Sequence, residues 1–401
     1  MVVGRELAAR LGSEIEAMVA ETVALAAIDS GSDDACGIAR VCDELGRVLS
    51  ASGFTVQPRR EGGLAATMAA QDHAGPRVLI VGHADTVWPA GTAAGWAAHR
   101  DGDLLTGPGV GDMKGCLVMA AHACAAVRDA GGLARIGALE LLVVPDEELG
   151  SVGSRAWIED RARASDACLG LEAGWPRGGL VVERGGVGAL TLTAVGRSAH
   201  AAGHEGTGAS AVAALAPLVS SLERLSRPEQ GMLVTVGVFR GGVARQVVPD
   251  HAELLIDLRA PTAQAGTELV AGIDAVVRAA STGDVGLELS GGVTRPAFAR
   301  AASDWLYAKA VEHAAGLGIP VTPVASRGGS DASFAAALGL PTLDGLGPIC
   351  HDSCARGERI EISSLATRGA LMGLLIADLG DPAAPRPARQ ARDSGNVEAP
   401  A

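Results

Sequence analysis

The chain has 401 residues, 48% of them hydrophobic, and a net charge of −13, which is long enough for two domains and too apolar for a disordered chain. Aromatic residues make up only 2%, which excludes a surface built to stack bases, and the acidic balance disfavours nucleic acid and anionic membranes as partners. Seven scattered cysteines, a start without an apolar leader and no apolar run near the ~20 residues that span a bilayer make a reducing, cytoplasmic compartment the expectation.

Along the chain, Leu7, Leu11, Ile15, Met18, Val19 and Thr22 recur at helical spacing over 5–28, and a second helix is expected over 36–52. Arg77 to Gly82 is a continuous apolar run, the mark of a strand buried on both faces, and it leads straight into His83. A helix over 115–130 follows, then a buried strand over 138–144 leading into Pro145-Asp146-Glu147-Glu148, a helix over 151–163, and a strand over 167–171 ending at Glu172. This alternation predicts an α/β domain with a mainly parallel sheet flanked by helices.

Near residue 180 the texture changes. Strands over 188–195, 232–240, 251–258 and 285–290 alternate with helices over 208–227 and 263–280, which predicts a compact α+β module inserted into the first domain. The expected boundaries are a catalytic domain over 1–183 and 296–380, an inserted domain over 184–295, and a disordered Pro- and Ala-rich tail over 381–401.

The most informative stretch runs from Thr106 to Cys116, where Gly107, Gly109, Gly111 and Gly115 surround Asp112. A dinucleotide fingerprint is a poor reading, since Pro108 interrupts the glycines and no apolar strand precedes them. An Asp-capped helix start is the plain alternative. The strand ends decide for a metal site: His83, Asp112, Glu148, Glu172 and the late His351 form a set of two histidines and three carboxylates. Such a set suits two zinc ions sharing one carboxylate, here Asp112. Asp85, two residues past His83, can accept the second imidazole N–H, with an ordinary turn aspartate as the alternative. Adjacent Glu147 and Glu148 cannot point the same way, so Glu148 is assigned to metal and Glu147 to general-base work. No G-x-S-x-G turn offers a serine nucleophile; Gly329-Ser330-Asp331 is the nearest serine.

Four segments in order, Gly82 to Val87, Gly111 to Gly115, Pro145 to Ser151 and Gly196 to Ala201, resemble the M20 metallopeptidases, the glutamate carboxypeptidase branch in particular. The resemblance covers about 10–380. It implies a di-zinc aminopeptidase-like catalytic domain interrupted by a ferredoxin-like dimerisation domain, and hence a homodimer. Two Zn2+ per subunit are implied, with Co2+ or Mn2+ as substitutes, held by His83, Asp112, Glu148, Glu172 and His351, with Glu147 as base. It further implies a cis peptide at Asp112–Met113, an oxyanion role for His200 (His204 being the surface histidine), and a substrate carboxylate gripped by Arg295. Gln246, the glycine turn at Gly329 and, less strongly, Arg259 join that carboxylate site. Cys116, Cys350 and Cys354 and the segment from Gly174 to Gly179 depart from the family pattern.

The expected activity is hydrolysis of an amide or peptide bond beside a free α-carboxylate, on a small peptide or N-acyl amino acid. An N-carbamoyl amino acid amidohydrolase and a non-catalytic zinc-dependent binding protein are the alternatives.

Overall fold

The computed structural model describes residues 4–68, 75–203, 207–280 and 283–381. His204 and, apart from Asp381, the tail lie outside the described residues. The chain divides into two compact units: Met1–Glu183, Ala299–Ala325 and Ser330–Ala401 form one, Arg184–Phe298 and Ser326–Gly329 the other.

The first unit is organised by the strand Arg77–His83, buried at every position but the first. Ala138–Val144 pairs with it in parallel, His83 opposite Val144, and Ala167–Gly170 pairs in parallel on the other side, Val81 opposite Gly170. Thr342–Leu343 extends the parallel set. Beyond Ala138–Val144 the sheet continues antiparallel through Leu64–Met68 and Thr55–Pro58. Parallel strands in this register end at one edge, so His83, Pro145 to Glu148 and Leu171 to Glu172 leave the sheet side by side. That edge is where ligands collect in α/β folds.

Two helices fill the core beside this sheet. Gly115–Asp129 buries twelve of its fifteen residues and Ile362–Leu379 fourteen of its eighteen. Each fully buried leucine contributes about 1.5–3 kcal/mol relative to exposure. The expectation that no run is long and apolar enough to cross a bilayer needs correction. By length and composition Val110–Asp129 and Ile362–Leu379 both qualify, yet 89% and 78% of their apolar windows are buried inside the protein. A helix apolar on all sides here serves a deep core.

The expected helix over 5–28 is two helices, Gly4–Ser13 and Ile15–Ala26, separated at Glu14. The Glu14 carboxylate turns to Nδ1 of His122 at 2.7 Å and to Nε of Arg10 at 3.2 Å. These partners are invisible to a periodicity argument.

The second unit has the order strand, helix, strand, strand, helix, strand. Its sheet runs Leu233–Gly241, His251–Ala260, Gly186–Val195, Gly286–Arg295, antiparallel throughout. This is the ferredoxin-like arrangement. Helices Ala211–Glu223 and Ala263–Ala280 pack on one face of it through Leu215, Leu218, Leu222, Leu269 and Ile273 against Leu190, Leu192, Leu254 and Ile256. Ser210 caps the first of these, its hydroxyl accepting from the Ala213 amide at 3.1 Å.

Candidate metal centre

The glycine stretch folds as a tight turn into the Gly115–Asp129 helix. Gly109 takes φ 71°, a left-handed value that glycine reaches without strain. Gly111 has no room for a side chain: a Cβ there would lie 2.3 Å from Cys350 Sγ. The Asp112–Met113 peptide is cis, as the resemblance implies.

The turn brings Asp112 to the end of the central strand. His83 Nε2 lies 3.1 Å from Asp112 Oδ1, and His83, Asp112 and Glu148 place one donor atom each within 4.8 Å of one another. The set passes two tests for a divalent cation. An imidazole nitrogen with two carboxylates is donor chemistry that zinc accepts, and two donors of one four-coordinate ion stand roughly 3.3 Å apart, close to the 3.1 Å between His83 Nε2 and Asp112 Oδ1. Burial opposes charge on His83, but Asp112 and Asp85 outweigh it and raise its pKa. Burial likewise works against ionised Asp112, and bonds from His83, Cys354 and Ser353 overcome it, lowering its pKa to about 2.

Asp85 is buried and holds more than the histidine. His83 Nδ1 faces the Asp85 carbonyl at 2.9 Å and Oδ1 at 3.3 Å, which leaves Nε2 for the ligand role. The backbone N–H groups of Glu147 and Glu148 donate to Oδ1 and Oδ2 of the same carboxylate, each at 3.1 Å, and Ser32 donates to Oδ2 at 2.7 Å. Burial opposes the charge, yet these bonds keep the pKa of Asp85 below its ordinary value. One residue therefore sets both the His83 tautomer, chiefly through its carbonyl, and the path of the Glu147-Glu148 backbone, through its carboxylate. Glu147 is buried and Glu148 half-buried.

The second oxygen of Asp112 faces the turn after His351. Ser353 Oγ donates to Oδ2 at 2.9 Å and Cys354 Sγ at 3.2 Å. Cys354 is exposed. Cys116 and Cys350 are buried, and burial pushes both thiols up; Cys116 donates to the Gly111 carbonyl at 3.1 Å. Glu172 and His351 stand outside the close grouping of three. Glu172 lines a small cleft with His83, Gly82 and Asp331. His351 Nε2 lies 2.8 Å from Glu361 Oε1. The main chains carrying Glu172 and His351 run together, since Gly347 N–H donates to the Glu172 carbonyl and Gly174 bridges Ile349 in parallel. Ser330 is buried and donates to Asp344 Oδ2 at 2.5 Å, a structural posture rather than a nucleophile's.

In the second unit, the backbone pairs the segments of His200 and Gln246: Ala201 N–H donates to the Gln246 carbonyl at 2.9 Å, and His200 bridges Val247. Both side chains are exposed. Arg295 is buried, and Gly329 lies against its stem, where a Cβ would come 2.7 Å from Arg295 Cδ. Arg259 grips Asp257 of the same strand with two bonds of 2.8 and 2.9 Å.

Sequence reading missed Glu358. It is fully buried, and its Oε1 accepts from the amides of Gly111 at 2.9 Å and Asp112 at 3.1 Å. Its Oε2 accepts from Cys354 N–H at 3.3 Å. A single glutamate in a polar turn reads as solvated, and only the fold reveals what it clasps. Burial, with the Asp112 charge adding, raises its pKa from 4.5 to about 7 despite these bonds. The metal-free fold thus holds a proton between about pH 4.5 and 7 that the unfolded chain has released. Stability falls as pH rises through that window, by up to about 3 kcal/mol. Glu358→Gln should flatten this leg, which denaturant midpoints at pH 5 and 7.5 in chelator will show. Equal pH slopes in both proteins would refute the assignment.

A model of peptidase family M20/M25/M40 matches residues 79–378. Carboxypeptidase G2 of Pseudomonas sp. (strain RS-16) is 27% identical over 368 residues, 88% of this chain and 87% of that protein. A succinyl-diaminopimelate desuccinylase of Acidiphilium cryptum is 30% identical over 317 residues, 73% of this chain and 81% of its own length. Among solved structures, an M20 family metallo-carboxypeptidase from Sulfolobus solfataricus matches with a TM-score of 0.73 at 16% identity, covering 90% of this chain and 99% of that one. The aminopeptidase PepT from Bacillus cereus matches at 0.72 and 23% identity, covering 92% and 99%. At such identities these two likenesses speak for the fold alone.

Proposed function

The chain belongs to peptidase family M20/M25/M40, a family of metal-dependent hydrolases, and on that premise we propose that it cleaves an amide or peptide bond beside a free α-carboxylate, as a carboxypeptidase or N-acyl-amino-acid deacylase. The observation that carries this reading is the convergence of His83, Asp112 and Glu148 at the carboxyl edge of the sheet, with Glu147 beside them on a backbone fixed by Asp85. Zinc, two ions per subunit, is the proposed metal. The two carboxylate oxygens of Asp112 face different groups, His83 on one side and the Ser353-Cys354 turn on the other, which supports a bridging role. Glu172 and His351 are the proposed remaining ligands. Bound there, the ions supply a water with a pKa near 7 and polarise the scissile carbonyl.

The residues of this chain do the rest. Asp85 holds His83 with Nε2 toward the donors. Glu147 takes the proton of the attacking water and passes it to the leaving nitrogen. On the sequence resemblance, His200 is proposed as an oxyanion donor and Arg295, with Gln246 and Gly329, as the partner of the substrate α-carboxylate. A homodimer through the inserted unit belongs to the same proposal. The test is to strip the protein with chelator, titrate zinc, and compare N-acyl amino acids with the same compounds carrying a carboxamide. Zinc-dependent hydrolysis of the acids, with a roughly tenfold or greater loss for the carboxamides, is expected. Absence of hydrolysis of any N-acyl amino acid or dipeptide by the zinc-loaded protein would overturn the reading.

A further inference from the structure

The aromatic poverty of this chain makes one cluster stand out. Of five tryptophans in 401 residues, two meet beside the metal centre. Trp88, five residues past His83, lies edge-to-face with Trp96, ring centroids 5.1 Å apart and planes at 79°. The guanidinium of Arg356 rests on both, its Cζ 5.4 Å from the Trp88 ring and 5.5 Å from the Trp96 ring.

The position of Arg356 follows from the turn that carries it. Ser353 and Cys354 before it bond to the carboxylate of Asp112, and Glu358 after it bonds to the amides of Gly111 and Asp112. Arg356 therefore sits at the exposed crest of a turn that grips the proposed bridging carboxylate from both sides. The neighbouring cations are engaged. Lys114 is buried and donates to the Ile28 carbonyl at 2.7 Å, Arg359 pairs with Asp352, and buried Arg368 donates to the carbonyls of Gly345 and Gly347. Among the described residues Arg356 has no ion-pair partner.

A guanidinium held near the faces of two indoles by cation–π attraction keeps its charge, and its planar fork of N–H donors stays available to a partner. That is the posture of a receptor for a carboxylate, which accepts two parallel N–H bonds. We propose that Arg356, seated on Trp88 and Trp96, binds a second carboxylate of the substrate, in addition to its α-carboxylate, so that the preferred substrates are dianionic amides. The proposal rests on the hydrolase reading given above, and the test separates the two.

Two substrate pairs are compared on the zinc-loaded full chain: N-succinyl against N-butanoyl forms of one amino acid, and N-acetylglutamate against N-acetylglutamine. A preference of about 10- to 100-fold in kcat/KM for the dianion in one pair is expected, the scale of a charge-assisted bidentate contact. Arg356→Ala should erase that preference by raising KM while kcat holds. Arg356→Lys should recover only a small part, since an ammonium neither stacks nor forks. Binding is read independently of turnover by tryptophan fluorescence during titration with glutarate or butyrate. Glutarate should perturb the signal at lower concentration in the wild type and lose that advantage in Arg356→Ala. If no amide is hydrolysed but the glutarate response depends on Arg356, the hydrolase reading fails and the carboxylate site stands. Indifference to the second carboxylate in both pairs and in binding, or a preference that persists in Arg356→Ala, overturns the proposal.

Discussion

Replacing Glu147 by alanine should leave the metal in place and remove turnover. Glu147 follows Val144 by three residues at the carboxyl edge of the sheet, is buried, and has its amide held by Asp85 Oδ1 at 3.1 Å. Its neighbour Glu148 is the one that joins His83 and Asp112 within 4.8 Å. The two carboxylates diverge because consecutive side chains cannot share a direction, and the Asp85 clasp on both amides prevents the backbone from rotating to exchange them. A missing general base costs roughly 10²- to 10⁴-fold in rate. Zinc content by elemental analysis should match wild type, and kcat should fall by that factor with KM little changed. Zinc lost together with activity would mean that Glu147 and Glu148 exchange the two roles.

Asp112→Ala should have the opposite signature, losing metal first. Its Oδ1 faces His83 and its Oδ2 faces Ser353 and Cys354, so the substitution removes the donor at the centre of the set. The backbone is less at risk, because Glu358 holds the amides of Gly111 and Asp112 rather than the side chain. The variant should fold, bind less than one zinc per chain after dialysis, and show no detectable hydrolysis. A saturating ion that binds only the folded state adds about 2.7 kcal/mol at a hundred times its dissociation constant. The wild type should therefore melt higher with zinc than without, and Asp112→Ala should lose most of that increment. A variant that keeps two ions would remove Asp112 from the ligand set.

Much of this architecture was legible from pattern. The strands Arg77–His83 and Ala138–Val144 announce themselves because burial on both faces demands unbroken apolar residues. The Gly115–Asp129 and Ala263–Ala280 helices fall where periodicity places them. Strands Leu64–Met68 and Gly179–Arg184 were not foreseen, being short and set among glycines. The site divides in the same way. His83 and Glu148 stand at strand ends and are found by position, whereas the groups that hold them come from elsewhere in the chain. Glu358 reaches the Asp112 turn from 246 residues downstream, and Ser32 reaches Asp85 across 53. Arg368 is buried because it donates to the carbonyls of Gly345 and Gly347, and that burial lowers its pKa to about 10. Long-range polar partners leave no periodic trace, so a single sequence presents them as ordinary surface charges.

The turn that grips Asp112 also ties the proposed metal site to the far end of the chain. Its three holdfasts, Ser353, Cys354 and Glu358, are 241 to 247 positions further along the chain than the groups they fix. In chain order the glycine turn and the strands Arg77–His83, Ala138–Val144 and Ala167–Gly170 all precede these residues by more than 180 positions. Until they arrive, the loop bearing Asp112 lacks its clamps. On the proposed metal assignment, a chain cut short before Ser353 would lack all three clamps and should hold zinc poorly and hydrolyse nothing.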